Sequence, residues 1–386
     1  MLHCITTACA MHPNRQDKNF KVHPCFIALR LPVRCTQTGR TRISKFKDYL
    51  VGLIFFLFGT TSSFAFGNKY AGEFLKIGVG VREMSLGGAV VASPRSVSAQ
   101  YWNPAVLYKN TVFSGQFMHT EEFAGTLNLD HISVAIPAKG NYAYGLGFFR
   151  LGVNDIPDTR GALIDNNGNG KLDPGERLNF GKIGTFGASE NALFISVAKQ
   201  INQKFFIGAT TKHLYKSLGT TAAWGVGFDV ATIYNISPQL VLGASLNDIT
   251  TTFLFWKDGE KEVILPTLRF GTAWKAALPS IPIWFQPLGG LDISFEGKQH
   301  STDLNLGSIS GRVHLGLEIH IKDQIALRCG RDDLGSFHIG FGLDTSIGSI
   351  DYGFAMGGTY QLLGQSHRIG VTLHFAELAK GLKRWL

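Results

Sequence analysis

From Leu107 onward, apolar and polar residues alternate with a period of two, over segments of about ten residues that recur to the end of the chain. In one segment Val313, Leu315, Leu317, Ile319 and Ile321 share a face, and His314, Gly316, Glu318, His320 and Lys322 take the other. The last segment repeats the pattern, with His367, Ile369, Val371, Leu373 and Phe375 against Arg368, Gly370, Thr372 and His374. One face requires lipid or core, and the other requires water. Fourteen such segments are predicted as strands, near 112–119, 129–138, 141–151, 189–200, 203–216, 223–236, 239–248, 267–277, 288–297, 311–321, 324–330, 335–345, 348–360 and 366–375. An even count suits a single-chain bacterial barrel.

The connections carry a second signal. With a periplasmic N-terminus, even-numbered strands end in short turns and odd-numbered ones in longer outer loops. Five of the six even connections are short: Ala138 to Asn141, Gln200 to Gln203, Ile236 to Gln239, Lys322-Asp323 and Ser346 to Ser349. Leu278 to Pro287, with three prolines, is the exception, while 152–188, 249–266 and 298–310 in the odd set are long. A soluble β-sandwich gives no reason for this alternation. Tyr142, Tyr144, Trp224, Tyr234, Trp274, Trp284, Tyr352 and Tyr360 lie in or beside strands, as interface girdles require. The expected fold is all-β: a transmembrane outer-membrane antiparallel β-barrel of about 14 strands over 111–375.

Tyr70 to Leu107 does not alternate. It is rich in Gly and Ala and ends in an aromatic-Asn-Pro-Ala turn. Such a segment cannot fold alone, and Arg82, Glu83 and Arg95 among small apolar residues suit the inside of a polar lumen. Residues 66–110 are therefore expected to form a plug entering from the periplasmic side. Arg82, Glu83 and Arg95 would face lumen residues such as Glu318 and Arg368, and Asn103 and Pro104 would form the closing turn.

Ahead of the plug, residues 43–65 have the parts of a secretory signal: Lys45 and Lys47, an apolar run from Leu50 to Phe58, and a small-x-small site ending at Ala65. Residues 1–42 show no periodicity and are expected to be a non-native or disordered leader, the start lying too far upstream. At the other end, 376–386 reads as a short tail, either a basic amphipathic helix or frayed.

Composition narrows the function classes. No run of about 18 apolar residues follows residue 66, which removes transmembrane helices from the processed chain. Gly is abundant at 46 residues, charged residues are only 17%, and mean hydropathy is +0.08. The net charge of +9 invites a nucleic-acid reading, but residues 1–65 hold nine Lys or Arg and two Asp, a net of +7, leaving +2 for the rest. No nucleic-acid partner is expected. Four of the five cysteines also lie in the first 42 residues, so the processed chain, with Cys329 alone, has no internal disulfide.

One local motif is specific. Asp165 to Glu176, DNNGNGKLDPGE, matches the twelve-residue calcium loop, with oxygen side chains at 1, 3, 5 and 9, Gly at 6 and Glu at 12. Asp165, Asn167 and Asn169 would each supply a side-chain oxygen, Lys171 its carbonyl, Asp173 a direct or water-mediated contact, and Glu176 two oxygens. Neither side carries the helix of a full EF-hand, so Ca2+ here would brace the longest outer loop rather than switch it. Catalytic constellations are absent: there is no G-x-S-x-G, P-loop, H-E-x-x-H or C-x-x-C, and the histidines are dispersed. No enzymatic activity is expected.

With these pieces the chain resembles the PorV/PorQ family, which belongs with the FadL-like barrels. The resemblance spans about Tyr70 to Phe375. It rests on YAGEFLKIGVGVREMSLGGAVVA and YWNPAVL, on FFRLGVNDIPDTRGALIDNNGNGKLDPGERL, on KHLYKSLGTTAAWGVGFDVATIYNISPQLVLGASLNDI and on SHRIGVTLHF. Asn103-Pro104-Ala105 matches the family's NPA turn, with Val106 where Gly is common. The resemblance implies a fourteen-stranded barrel in the bacterial outer membrane, in contact with its lipids. PorV-like members serve type IX secretion, receiving C-terminal domains of exported proteins alongside secretion-machinery subunits. FadL-like members pass hydrophobic small molecules through the plugged lumen and a lateral opening. The sequence leans to secretion, because a braced loop makes a rigid outer surface. Hydrophobic transport is the alternative, with Trp224, Phe228, Phe253, Phe255 and Trp256 as a greasy access.

Overall fold

The computed structural model describes residues 72–93, 95–122, 125–295, 302–332, 335–357 and 365–385. The leader, the signal segment and Tyr360 lie outside the described residues. Among those described, fourteen antiparallel strands close into one barrel: β1 (Ser114–Glu122), β2 (Leu127–Lys139), β3 (Tyr142–Asp158), β4 (Gly184–Gln200), β5 (Phe205–Leu218), β6 (Thr221–Asn235) and β7 (Leu240–Asn247). The circuit continues with β8 (Thr267–Trp274), β9 (Ile283–Ser294), β10 (Ile309–Ile321), β11 (Ile325–Arg331), β12 (Ser336–Thr345), β13 (Gly348–Gly357) and β14 (Ser366–His374). Each strand pairs with the next, and β14 returns to β1 with Gln116 opposite Thr372. Each predicted segment overlaps one observed strand, and the expected fold is the fold seen.

Closure explains why the alternating pattern suffices. A lipid-immersed sheet must satisfy its edge amides, and a closed barrel has no edge. Outward positions such as Leu146, Ile195, Phe270, Leu315, Phe341 and Ile369 are exposed, whereas inward Gln116, Ser196, Thr210, Glu318, Arg328 and Arg368 are buried. The polar face of each strand therefore looks into the lumen and the apolar face onto hydrocarbon.

Two expectations about connections change. The apparent long turn at Leu278 to Pro287 is short, because β9 begins at Ile283 and Pro287 lies inside it, opposite Leu317 of β10. Pro287 has no N–H for the ladder on its other side, and the pairing of β8 with β9 lapses there between Ala273 and Ala276. Odd-numbered strands do not all lead into long loops either. β5 and β6 are joined through Gly219 and Thr220 alone, since both strands themselves run on outward in register to Leu218 and Thr221.

The outer end carries the remaining structure. β3 and β4 continue to Asp158 and Gly184 through a bulge between Val153 and Ile156, where Asp155 takes φ 56°. Alternation fails there although the ladder continues, because water covers both faces. In loop 159–183 Leu163–Ile164 pairs with Arg177–Leu178. Residues 248–266 fold into a hairpin, Thr252–Trp256 with Lys261–Ile264, that replaces β7 beside the outer half of β6. At the inner end, helix α3 (Phe375–Trp385) leaves β14 directly; Phe375 stacks at 4.7 Å on Phe113.

Candidate functional site: the plugged lumen

Within the barrel the chain from Gly72 to Asn110 makes only short turns: 3-10 segments Glu73–Lys76 and Pro104–Lys109, and helices α1 (Val81–Ser85) and α2 (Ala99–Trp102). Helices this short do not hold themselves, so their stability must come from packing. Inward glycines of the wall provide the contact. A Cβ added at Gly208 would lie 2.3 Å from the Ala105 nitrogen, at Gly243 2.3 Å from the Val91 oxygen, and at Gly330 2.3 Å from the Leu86 carbonyl carbon. A Cβ at Gly145, Gly271 or Gly370 would lie 2.8 Å from Leu107 Cδ2, Ala92 N and Val81 Cγ2 respectively. Gly316 and Gly370, which the alternation places on the polar face, belong to this footprint, a Cβ at Gly316 falling 2.7 Å from Leu86 O.

Asn103 and Pro104 sit beside the Gly208 contact. Asn103 is fully buried; its Oδ1 accepts from Ala105 N at 3.0 Å, capping the Pro104 turn. Its Nδ2 donates to Val91 O at 2.7 Å and to Thr232 O of β6 at 3.2 Å. One amide thus ties two parts of the segment to the wall.

Arg82 makes the main ionic contact with the wall. Its Nε and Nη2 donate to the two Glu318 oxygens of β10 at 2.9 and 2.6 Å, and Nη1 donates to Ser93 Oγ and Arg95 O. Glu318 also accepts from Arg328 Nε at 2.8 Å, and Arg328 reaches Asp351 at 2.5 Å. Glu83 is buried and accepts from Ser96 Oγ at 2.8 Å. Arg95 departs from expectation: its side chain is exposed, and it serves the network through its carbonyl. Arg368 is not paired with the segment either; it binds Glu122 on the adjacent β1 at 3.0 Å and His338 on β12, two strands away. His314 pairs with Asp292 and Gly87 O, apart from Glu318, while His320 stands 3.3 Å from Glu318.

Outward of this segment lies a cavity of about 680 Å3. Phe74, Leu75, Ile77, Met84, Tyr101 and Trp102 form its apolar part, with Phe194 on β4. Tyr101 meets Trp102 at 4.9 Å and Phe194 at 5.8 Å, edge to face. Trp102 Nε1 donates to Val79 O and the Tyr101 hydroxyl to Leu75 O, so these polar atoms are satisfied within the segment and both rings contribute to the lining of the cavity. Around them the wall holds paired charges: Lys212 with Asp229 and Asp248 at 2.9 and 2.8 Å, and Arg269 with Asp292 at 3.2 Å. Sequence reading missed these residues, although their inward parity on β5 to β9 was the available signal.

The outer loops hold the remaining candidates. Asp165 accepts from the Gly168 and Gly170 amides at 2.6 and 2.8 Å, Glu176 accepts from Asn166 N and Asp173 N, and Lys171 N donates to Asn169 Oδ1. The donor types and their order fit an oxygen-liganded cation. The Asn167 and Asn169 amide nitrogens both point at Asp173 Oδ2, at 2.7 Å, so a cation would require both amides turned over. Among the described residues no three His, Cys, Asp or Glu side chains converge as a metal cluster. Trp224, Phe228, Phe253 and Phe255 are exposed on the outward face of β6 and its hairpin, with Trp224 and Phe255 in contact at 5.4 Å, while Trp256 lies under Lys216.

No protein-family profile matches the chain, and no curated protein sequence matches it. Solved structures do. The CymD monoaromatic hydrocarbon channel is 13% identical, with 77% of this chain and 96% of that one covered and a TM-score of 0.50. The Pseudomonas putida toluene transporter TodX is 14% identical over 76% and 96%, with a TM-score of 0.49. A Pseudomonas aeruginosa FadL homologue is 12% identical over 77% and 98%, with a TM-score of 0.44. At these identities the likeness concerns fold alone, a closed antiparallel β-barrel like that of the CymD channel.

Proposed function

We propose that the protein passes hydrophobic small molecules across the outer membrane, with residues 72–110 as the plug on the route. The carrying observation is the cavity of about 680 Å3 inside the barrel, backed by Phe74, Tyr101, Trp102 and Phe194. Its size lies within the roughly 300–1,000 Å3 of small-molecule sites, and its carbon-faced aromatics suit an uncharged ligand. The CymD monoaromatic hydrocarbon channel, which shares the fold, supports the same reading. Secretion, the reading toward which the sequence leans, finds its support at the folded outer hairpins, which make a firm surface for a protein domain. The lumen has no part in that role, and transport accordingly ranks first. A calcium ion held by Asp165, Asn167, Asn169, Lys171, Asp173 and Glu176 would brace this surface in either case.

Uptake of a panel of labelled aromatic and aliphatic solutes by cells carrying the wild type, Phe194→Arg or Trp102→Ala tests the proposal. Transport expects both substitutions to lower uptake at unchanged barrel levels. Equal uptake by all three, with exported protein domains co-purifying on the barrel, would put secretion in its place.

A further inference from the structure

The lipid-facing wall carries a depression that shares no lining residue with the lumen cavity. Across β4 to β8 an apolar groove of about 560 Å3 runs between Val197, Ile207, Val230, Leu246 and Leu268. Ala209 and Ala244 are the small outward residues in its middle; Ala209 stands opposite Val197 and Val230, and Ala244 opposite Thr232. Directly behind it the plug grips the wall at Gly208, Gly243 and the Thr232 carbonyl. The outside is therefore hollow at the level where the inside is drawn onto Pro104 and Ala105.

One end of the groove is charged. Lys199, at the inner end of β4, belongs to its lining, with Nζ 5.1 Å from the Tyr142 ring. Lys139, Lys204 and Lys275 share this rim, and the segments 136–142, 197–207, 230–246 and 268–283 contain no Asp or Glu. An apolar trough ending in lysines, on a face that hydrocarbon covers, is complementary to a molecule with a long alkyl chain and an anionic head. We propose that the groove seats an acyl chain of an anionic phospholipid of the periplasmic leaflet, its phosphate on Lys199. Lys199 sets the head-group preference through charge, and the alanine floor sets chain retention through buried area.

Native mass spectrometry of the full barrel, purified in mild detergent and offered equal phosphatidylglycerol and phosphatidylethanolamine, tests this. The wild type is expected to retain one phosphatidylglycerol. Ala209→Phe with Ala244→Phe, which fills the groove from outside, is expected to lower retention roughly tenfold, a loss of about 1.4 kcal/mol. Lys199→Gln should keep a lipid but lose the preference for the anionic head. Undiminished retention by the filled variant overturns the proposal, as does a shift in its oligomeric mass at unchanged lipid content, which would make the groove a contact between copies. Photoactivatable phosphatidylglycerol on the wild type gives the answer without substitutions: labelling concentrated on peptides of β5 to β7 supports the site, and labelling spread evenly around the barrel refutes it.

Discussion

The Arg82 guanidinium closes on the Glu318 carboxylate through two parallel hydrogen bonds, while Arg328 approaches the same carboxylate from the wall. Plug and wall therefore share one buried anion. Removing one member of a buried pair costs about 3–5 kcal/mol because a charge is left uncompensated. Glu318→Gln takes from Arg82 its wall carboxylate and leaves Arg328 with Asp351 alone, whereas Arg82→Gln leaves Glu318 with Arg328. The first should loosen the plug more than the second, which limited proteolysis of residues 72–110 in the folded barrel would measure. Equal protection in both variants would mean that the plug is held by packing alone.

Packing has its own test. A Cβ at Gly208 or Gly330 meets plug backbone at 2.3 Å, which cannot yield as a flexible side chain would. Gly208→Val and Gly330→Val should form barrels that still shift on heating in a gel but expose the plug to protease. Gly184→Val, where nothing lies within 4 Å, is the control and should leave the plug protected.

His131 on β2 is fully buried, and among the described residues neither ring nitrogen has a hydrogen-bond partner. Burying such a group costs about 1–3 kcal/mol. Replacement by Leu, close in volume and without polar atoms, should therefore raise the urea midpoint of the barrel at unchanged slope. A lower midpoint would show that His131 gains a partner in another state of the plug.

Loop 159–183 should soften in acid. Hydrogen bonds from the Arg160 side chain and backbone hold Asp158 down to about 2, and the Gly170 amide, with those of Gly168 and Asn167, lowers Asp165. Depressed carboxylates stabilise the loop above their ordinary value of 3.8 and lose that contribution as pH falls toward 2. Protease resistance of the loop should stay level from neutral pH to about 4 and decline below it.

If calcium braces the loop, added calcium at neutral pH should raise its protease resistance in the wild type and fail to do so in Glu176→Gln. An identical response in both would leave the loop as the self-bonded turn in which Asp173 takes the two asparagine amides.

Alternation along the chain is enough to specify the barrel. A strict period of two assigns every residue of Ile309–Ile321 or Ser366–His374 to lipid or lumen, and a one-residue slip would reverse both faces, so strand number and parity are legible along the chain. The Arg82–Glu318 pair was within reach for the same reason: both charges had to be inside. Proximity within the lumen was not, because β10 and the plug are 236 residues apart and the wall offers several partners of either sign. That is why Arg368 goes to Glu122 and Arg95 turns out, and why Pro287 was mistaken for a turn although it is tolerated where one ladder lapses. The glycine footprint, the aromatic cavity and the outer groove arise where strands meet the plug across the barrel, from contacts between residues far apart in the chain that no local pattern encodes.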